Sequence, residues 1–183
     1  MQKIQYNGFL IESKMQEIIS QIDGVENLGY NIKDKYSPFE WDSIFEYNGD
    51  TIVMEFDSHF HYQIPKTIIN DHYKNMECED RGWKMYRIPY FIQLTPETTP
   101  LFTPFKNVEI NTDFKHGFIK SKKYPAGYCH LGMERFEKEF KKLPKKVKED
   151  VSISLYEACY EYHCSHMVVP SWFFKKYFNK YEK

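Results

Sequence analysis

Asp42, Glu55, Asp57, His59 and His61 are the residues whose types and spacing could do chemistry in this 183-residue chain. They sit in and just after residues 39–57, where Asn48-Gly49 separates two β-rich runs. Asn-Gly between such runs predicts a β-hairpin, because a type I′ turn needs φ > 0 at both central positions. With Asn48-Gly49 as the loop, Asp42 faces Glu55; with Gly49-Asp50 as the loop, it faces Asp57. Directly opposed residues have Cβ atoms roughly 4.5–5.5 Å apart, and like charges there repel. Read singly, each acid is a solvated carboxylate on an exposed sheet face. As a trio they predict a hard divalent cation, Mg²⁺ or Mn²⁺, held by Asp42, Glu55 and Asp57 and offsetting the repulsion. If the alternation of the second strand runs on through 61, His59 and His61 join the acids, and either could act as general base or acid on water.

Other elements must position these groups. Met15, Ile18, Ile19 and Ile22 recur at i, i+3, i+4, i+7 and predict an amphipathic helix over 11–22 that stops near Gly24. Glu12 lies about 60° from that apolar stripe and can approach the acids, whereas Glu17 is on the solvated side. In the hairpin, Trp41, Phe45, Ile52, Met54 and Phe56 form the expected buried face; Asp42, Ile44, Val53, Glu55 and Asp57 form the other. A helix is expected over 65–81, opening at Pro65, carrying apolar Ile68, Ile69, Tyr73 and Met76, and stopping at Gly82. A strand follows over 83–92. This order predicts an α/β fold, a mixed sheet flanked by helices. The Pro/Thr-rich stretch 96–105 reads as a connector between a core over 1–95 and a basic, mainly helical part over 106–183. That second part is irregular over 105–130, then helical over 131–142 and 145–166, with a short aromatic helix after Pro170.

Composition excludes several classes. Fifteen Phe, fifteen Tyr and three Trp supply a core, so wholesale disorder is excluded. No apolar run approaches the roughly 18 residues of a membrane span, and the first residues form no apolar signal region. Four Cys do not make a disulfide framework, so an intracellular protein of a cell or a virus is expected. Cys159, His163, Cys164 and His166, with Cys129 and His130 upstream, are soft ligands, but they lack the paired spacing of structural zinc sites, so zinc is not expected. Residues 1–100 hold 16 Asp and Glu against 9 Lys and Arg, while 101–183 hold 10 against 16. The chain is thus dipolar rather than uniformly basic. Lys120, Lys122, Lys123, Lys141, Lys142, Lys145 and Lys146 are the cations that could neutralise a nucleic-acid backbone; a solvated helix junction explains the second group as well.

Asp42, then Glu55-Phe56-Asp57-Ser58-His59-Phe60-His61-Tyr62, then Asp71-x2-Lys74-Asn75, then Gly82-Trp83-Lys84-Met85-Tyr86-Arg87-Ile88, resembles the PD-(D/E)xK nuclease superfamily. The resemblance spans about residues 10–92 and is nearest to the very-short-patch-repair-like and EDxHD homing endonuclease branch. It implies a restriction-endonuclease-like fold and Mg²⁺-dependent hydrolysis of phosphodiester bonds, with double-stranded DNA as partner and a homodimer as one arrangement for cutting both strands. Asp42 and Glu55 would hold the metal, Asp57 and His61 would bind or deprotonate water, and Glu12 would complete the shell. Ser58 stands where the branch has Gly, and Lys74-Asn75 where it has Arg-Asp. No Lys follows Glu55 by two residues, so His61 and then Lys74 are the candidates to activate water. The rival expectation is the same fold without catalysis, binding nucleic acid or a protein partner.

Overall fold

The computed structural model describes residues 1–6, 10–112, 130–161 and 169–178. Its centre is a four-stranded mixed sheet of β2 (Glu26–Lys33), β3 (Glu40–Tyr47), β4 (Asp50–Asp57) and β5 (Lys84–Pro89), in that order. β3 and β4 form the expected hairpin, paired Tyr47 to Asp50 through Ser43 to Met54. Asn48 and Gly49 both have positive φ, 54° and 82°, as a type I′ turn demands. β5 runs parallel to β4, Ile52 beside Lys84 and Asp57 beside Pro89. The crossover between them is α2 (Phe60–Gln63) and α3 (Pro65–Asp80). β4 is therefore, with β3, an inner strand, buried at Ile52, Val53, Met54, Glu55 and Asp57.

Helices cover both faces of the sheet. α1 (Glu12–Ser20) buries Met15, Ile18 and Ile19 against the Phe45, Ile52 and Met54 face. On the other face, Cys78 of α3 closes a small cluster with Trp41, Ile44 and Val53. This corrects the expected placement of Trp41. The ladder to β4 ends at Ser43, so strict alternation fails there, and Trp41 turns to the α3 side, edge-on to Trp83. α3 is also inverted relative to its apolar pattern: Ile69, Tyr73 and Met76 are exposed, whereas Asp71, Lys74 and Cys78 are buried. A helix normally buries its apolar stripe. Here Glu55 on the facing strand selects Lys74, and Arg87 of β5 selects Asp71.

The expected boundary over 96–105 is not a break in the core. Thr98, Thr99 and Thr103 are buried there, and α4 (Thr99–Phe102) lies within it. Beyond it, β6 (Val108–Thr112) pairs in parallel with β1 (Gln2–Tyr6), tying the second half to the N-terminus. α5 (His130–Lys141), α6 (Lys145–Glu161), α7 (Ser171–Phe173) and a π-helical turn over Phe174–Phe178 complete the fold. Phe136, Phe140, Phe173 and Phe178 join one continuous core with Tyr62, Tyr90 and Phe91. The ring centroids of Phe91 and Phe136 are 4.3 Å apart. Among the described residues, no helix is long and apolar enough to cross a membrane.

Candidate functional site

Two charged clusters stand side by side on β4, one at Glu55 and the other at Asp57, two residues on and on the same face. The first joins the hairpin to α3. The Glu55 carboxylate accepts from the backbone N–H of Asp42 at 3.2 Å, and the Asp42 carboxylate accepts from the backbone N–H of Phe56 at 2.8 Å. These crossed bonds occupy the place where the β3–β4 ladder has ended, so the acids take over the pairing role of the strands. Lys74 ion-pairs with Glu55, donates to the Glu40 carbonyl at 2.7 Å, and lies 5.3 Å from the centre of the Trp41 ring. On the α1 side, the Gln16 amide donates to Glu12 at 3.3 Å and to the Asp42 carbonyl at 3.0 Å. Glu12 is thereby kept near enough to Asp42 for their charges to repel.

Burial is the main reason these carboxylates resist ionisation. It pushes Asp42 up to about 6, with Glu12 and Asp57 adding to the rise while the Phe56 N–H and Lys74 oppose it. It pushes Glu55 up to about 7, with Asp42 adding and Lys74 opposing. A carboxyl with a raised folded-state pKa favours folding below its ordinary range near pH 4 and loses that contribution as pH rises through the folded value. The two groups therefore weaken the fold progressively between about pH 4 and pH 7. Asp42→Asn should gain stability over the wild type as pH is raised from 5 to 8, by roughly 1–3 kcal/mol at the upper end. Urea midpoints at the two pH values measure this; a gap that stays constant with pH contradicts it.

The second cluster is built around Asp57, whose side chain is wholly buried. Arg87 of β5 bonds it at 2.6 Å, Arg135 of α5 ion-pairs with its other oxygen, and His61 Nδ1 lies 3.3 Å away. Asp71 of α3 meets the same three groups: His61 at 2.7 Å, Arg135 at 2.8 Å and Arg87 at 3.2 Å. Arg135 also donates to Glu139 at 3.0 Å, and Tyr62 donates to that carboxylate at 2.5 Å. Burial alone would raise Asp57, but the charges of Arg87, Arg135 and His61 reverse this and hold it below the ordinary carboxylate range. Burial pushes Glu139 up despite Arg135.

One ligand atom from each of Asp57, His61 and Asp71 lies within 4.8 Å of the others, a spacing that could hold a metal ion. Among the described residues this is the sole such group of three, and Asp42 and Glu55 are outside it. The expected metal trio is therefore divided. Asp42 and Glu55 stay together with Lys74, while Asp57 is drawn into the arginine cluster because two guanidiniums flank it. The expected run of the strand through His61 is also corrected: β4 ends at Asp57 and α2 starts at Phe60. The turn from Ser58 into α2 brings His61 back to Asp57, four residues earlier. His59 lies against Phe60 with its buried Nε2 unpartnered among the described residues, and burial lowers its pKa.

Arg135 and Glu139 carry no signal in the sequence that points to this site. Gly132 does carry one. A Cβ at that position would overlap the Tyr62 carbonyl, so a glycine inside an amphipathic helix marks the close approach that brings Arg135, one turn later, onto Asp57 and Asp71. Lys141, Lys142, Lys145 and Lys146 gather at the α5–α6 junction, all exposed, with Lys141 paired to Glu137 at 2.9 Å. Lys120, Lys122, Lys123 and the Cys/His group from Cys129 to His166 lie outside the described residues or have side chains that do. Comparison with protein-family models, with curated proteins and with solved structures finds no match to this chain.

Proposed function

We propose that this chain is a divalent-metal-dependent endonuclease that hydrolyses phosphodiester bonds of DNA on a restriction-endonuclease-like fold. The observation that carries the reading is the meeting of Asp42, Glu55 and Lys74, from two paired strands and the crossover helix, with both acids reluctant to ionise. Such crowding of partly desolvated carboxylates is relieved by a hard cation. Mg²⁺ suits the donor set, because it takes one or two carboxylates and keeps several waters. Asp42 and Glu55 would hold it, with Glu12 nearby. When bound, Mg²⁺ polarises a phosphoryl oxygen and lowers the pKa of its water. The Lys74 ammonium, fixed by Glu55 and the Glu40 carbonyl, has a third N–H with which to orient that water. His61 is committed to Asp71 and Asp57, so it drops behind Lys74 as the group acting on water. The Asp57, His61 and Asp71 donors are the other place for an ion, but a cation entering there must displace two guanidiniums.

That same arginine cluster favours the second reading, a nuclease-like fold that binds nucleic acid or a protein without cutting. Nicking of supercoiled plasmid in Mn²⁺ separates the two. The wild type should convert it to open circle and Asp42→Ala should not. DNA binding by both, with cleavage by neither under any divalent ion, removes the enzyme reading.

A further inference from the structure

On the flank of α3 turned away from β3, a groove runs between α3 and α5 with Arg87 of β5 in its wall. Two adjoining cavities of about 450 and 540 Å³ share Asn75, Arg87, Glu139 and Lys142 as lining residues. We infer that this groove is a binding site for a phosphate group, seated by Arg87, Lys138 and Lys142.

The central observation is Arg87. Nine-tenths of its side chain is buried. Nη1 bonds Asp57 and Asp71, and Nε donates to Asn75 at 2.9 Å, but the buried Nη2 has no partner among the described residues. A buried donor on a charged group that lacks an acceptor is costly, and a ligand that supplies the acceptor relieves that cost. Asp71 and Glu139, which also line the groove, do not supply the acceptor. Asp71 is committed to Arg87 Nη1, Arg135 and His61, and Glu139 to Arg135 and Tyr62.

The uncommitted charge lining the groove identifies the missing acceptor as an anion. Lys138 and Lys142 are exposed on successive turns of α5 and its end, and neither has an ion pair among the described residues. Glu79 and Glu134 also line the cavities but are exposed, where solvent screens them. Guanidinium with two ammoniums matches a phosphate, whose several oxygens accept from separate donors. The phosphate could be free or borne by a small ester, or it could be one of a nucleic-acid backbone. This site is separate from Asp42, Glu55 and Lys74 and does not depend on cleavage.

Calorimetric titration of the whole protein, without divalent cation, tests the inference with two probes: inorganic phosphate and a short single-stranded oligonucleotide. Lys138→Ala/Lys142→Ala should bind phosphate at least about tenfold more weakly than the wild type, and Lys14→Ala, on α1 against the opposite face of the sheet, should bind it equally. A matching loss with the oligonucleotide assigns the groove to a nucleic-acid backbone; a loss with phosphate alone assigns it to a free phosphate or small ester. The inference is overturned if the wild type binds neither probe, or if the double variant binds phosphate as tightly as the wild type. Because no cleavage is read, this result and the plasmid assay can fail independently.

Discussion

Arg135→Met should lower the unfolding free energy by about 3–5 kcal/mol, the usual cost of removing one partner from a buried ion pair. Arg135 is the shared cation of Asp57, Asp71 and Glu139, and it also donates to the His61 carbonyl at 3.3 Å and lies 4.7 Å from the Tyr62 ring centre. Without it, Arg87 is the one permanent cation left beside these three carboxylates among the described residues, and it touches only Asp57 and Asp71. Methionine retains most of the apolar stem, so the loss is mainly electrostatic. The control is Lys141→Met, which breaks the exposed pair to Glu137 and should change stability by less than about 1 kcal/mol. Urea denaturation followed by circular dichroism measures both. An Arg135→Met midpoint close to that of Lys141→Met would mean that water, not Arg135, compensates Asp57. The same contacts make a chain cut after residue 95 an incomplete fold, since α5 supplies both the cation and the Phe136 packing against Phe91.

The parts of this molecule legible in its sequence are those set by local chemistry. Asn48-Gly49 favours a type I′ turn, so the hairpin was legible from two residues, and of the two registers they left open the structure has the one that pairs Tyr47 with Asp50. Pro65 and Gly82 bracket α3, and the Met15–Ile22 spacing marks α1, to within two residues at the ends. β2 escaped because Glu-Asn-Leu-Gly-Tyr-Asn-Ile-Lys is the polar sequence of a partly exposed edge strand. β1 and β6 escaped because each is short and finds its partner a hundred residues away. The site was half legible. Acids crowding on adjacent strands were visible, but which cation each would meet depended on helix faces that periodicity misassigned. α3 presents Asp71 and Lys74 to the sheet against its own apolar stripe, and Arg135 arrives from beyond what reads as a connector. Local rules fail where buried charge outweighs apolar patterning, and that is where function concentrates.

Lys74→Met should reduce Mn²⁺-dependent nicking by about 10²–10³-fold, the range lost when one preorganised hydrogen-bond donor is removed. Lys74 holds Glu55, reaches the Glu40 carbonyl and sits over Trp41, so the variant also strands a buried carboxylate. Loss of stability could therefore imitate loss of catalysis, and a second variant separates them. Lys74→Met/Glu55→Gln removes both charges, and replacing both partners of a buried pair is often nearly neutral. The double variant should recover most of the wild-type urea midpoint while remaining inactive. Lys74→Arg keeps the charge in a planar group that cannot match the ammonium geometry, and should retain only a fraction of the activity. DNA binding should be similar in all three, because Lys74 is nine-tenths buried and faces Glu55 rather than the surface. Cleavage by Lys74→Met within tenfold of the wild type would remove Lys74 from the chemistry and return the water-activating role to His61. A double variant that regains activity along with stability would make the Glu55–Lys74 pair structural, and with it the Asp42 corner of the hairpin.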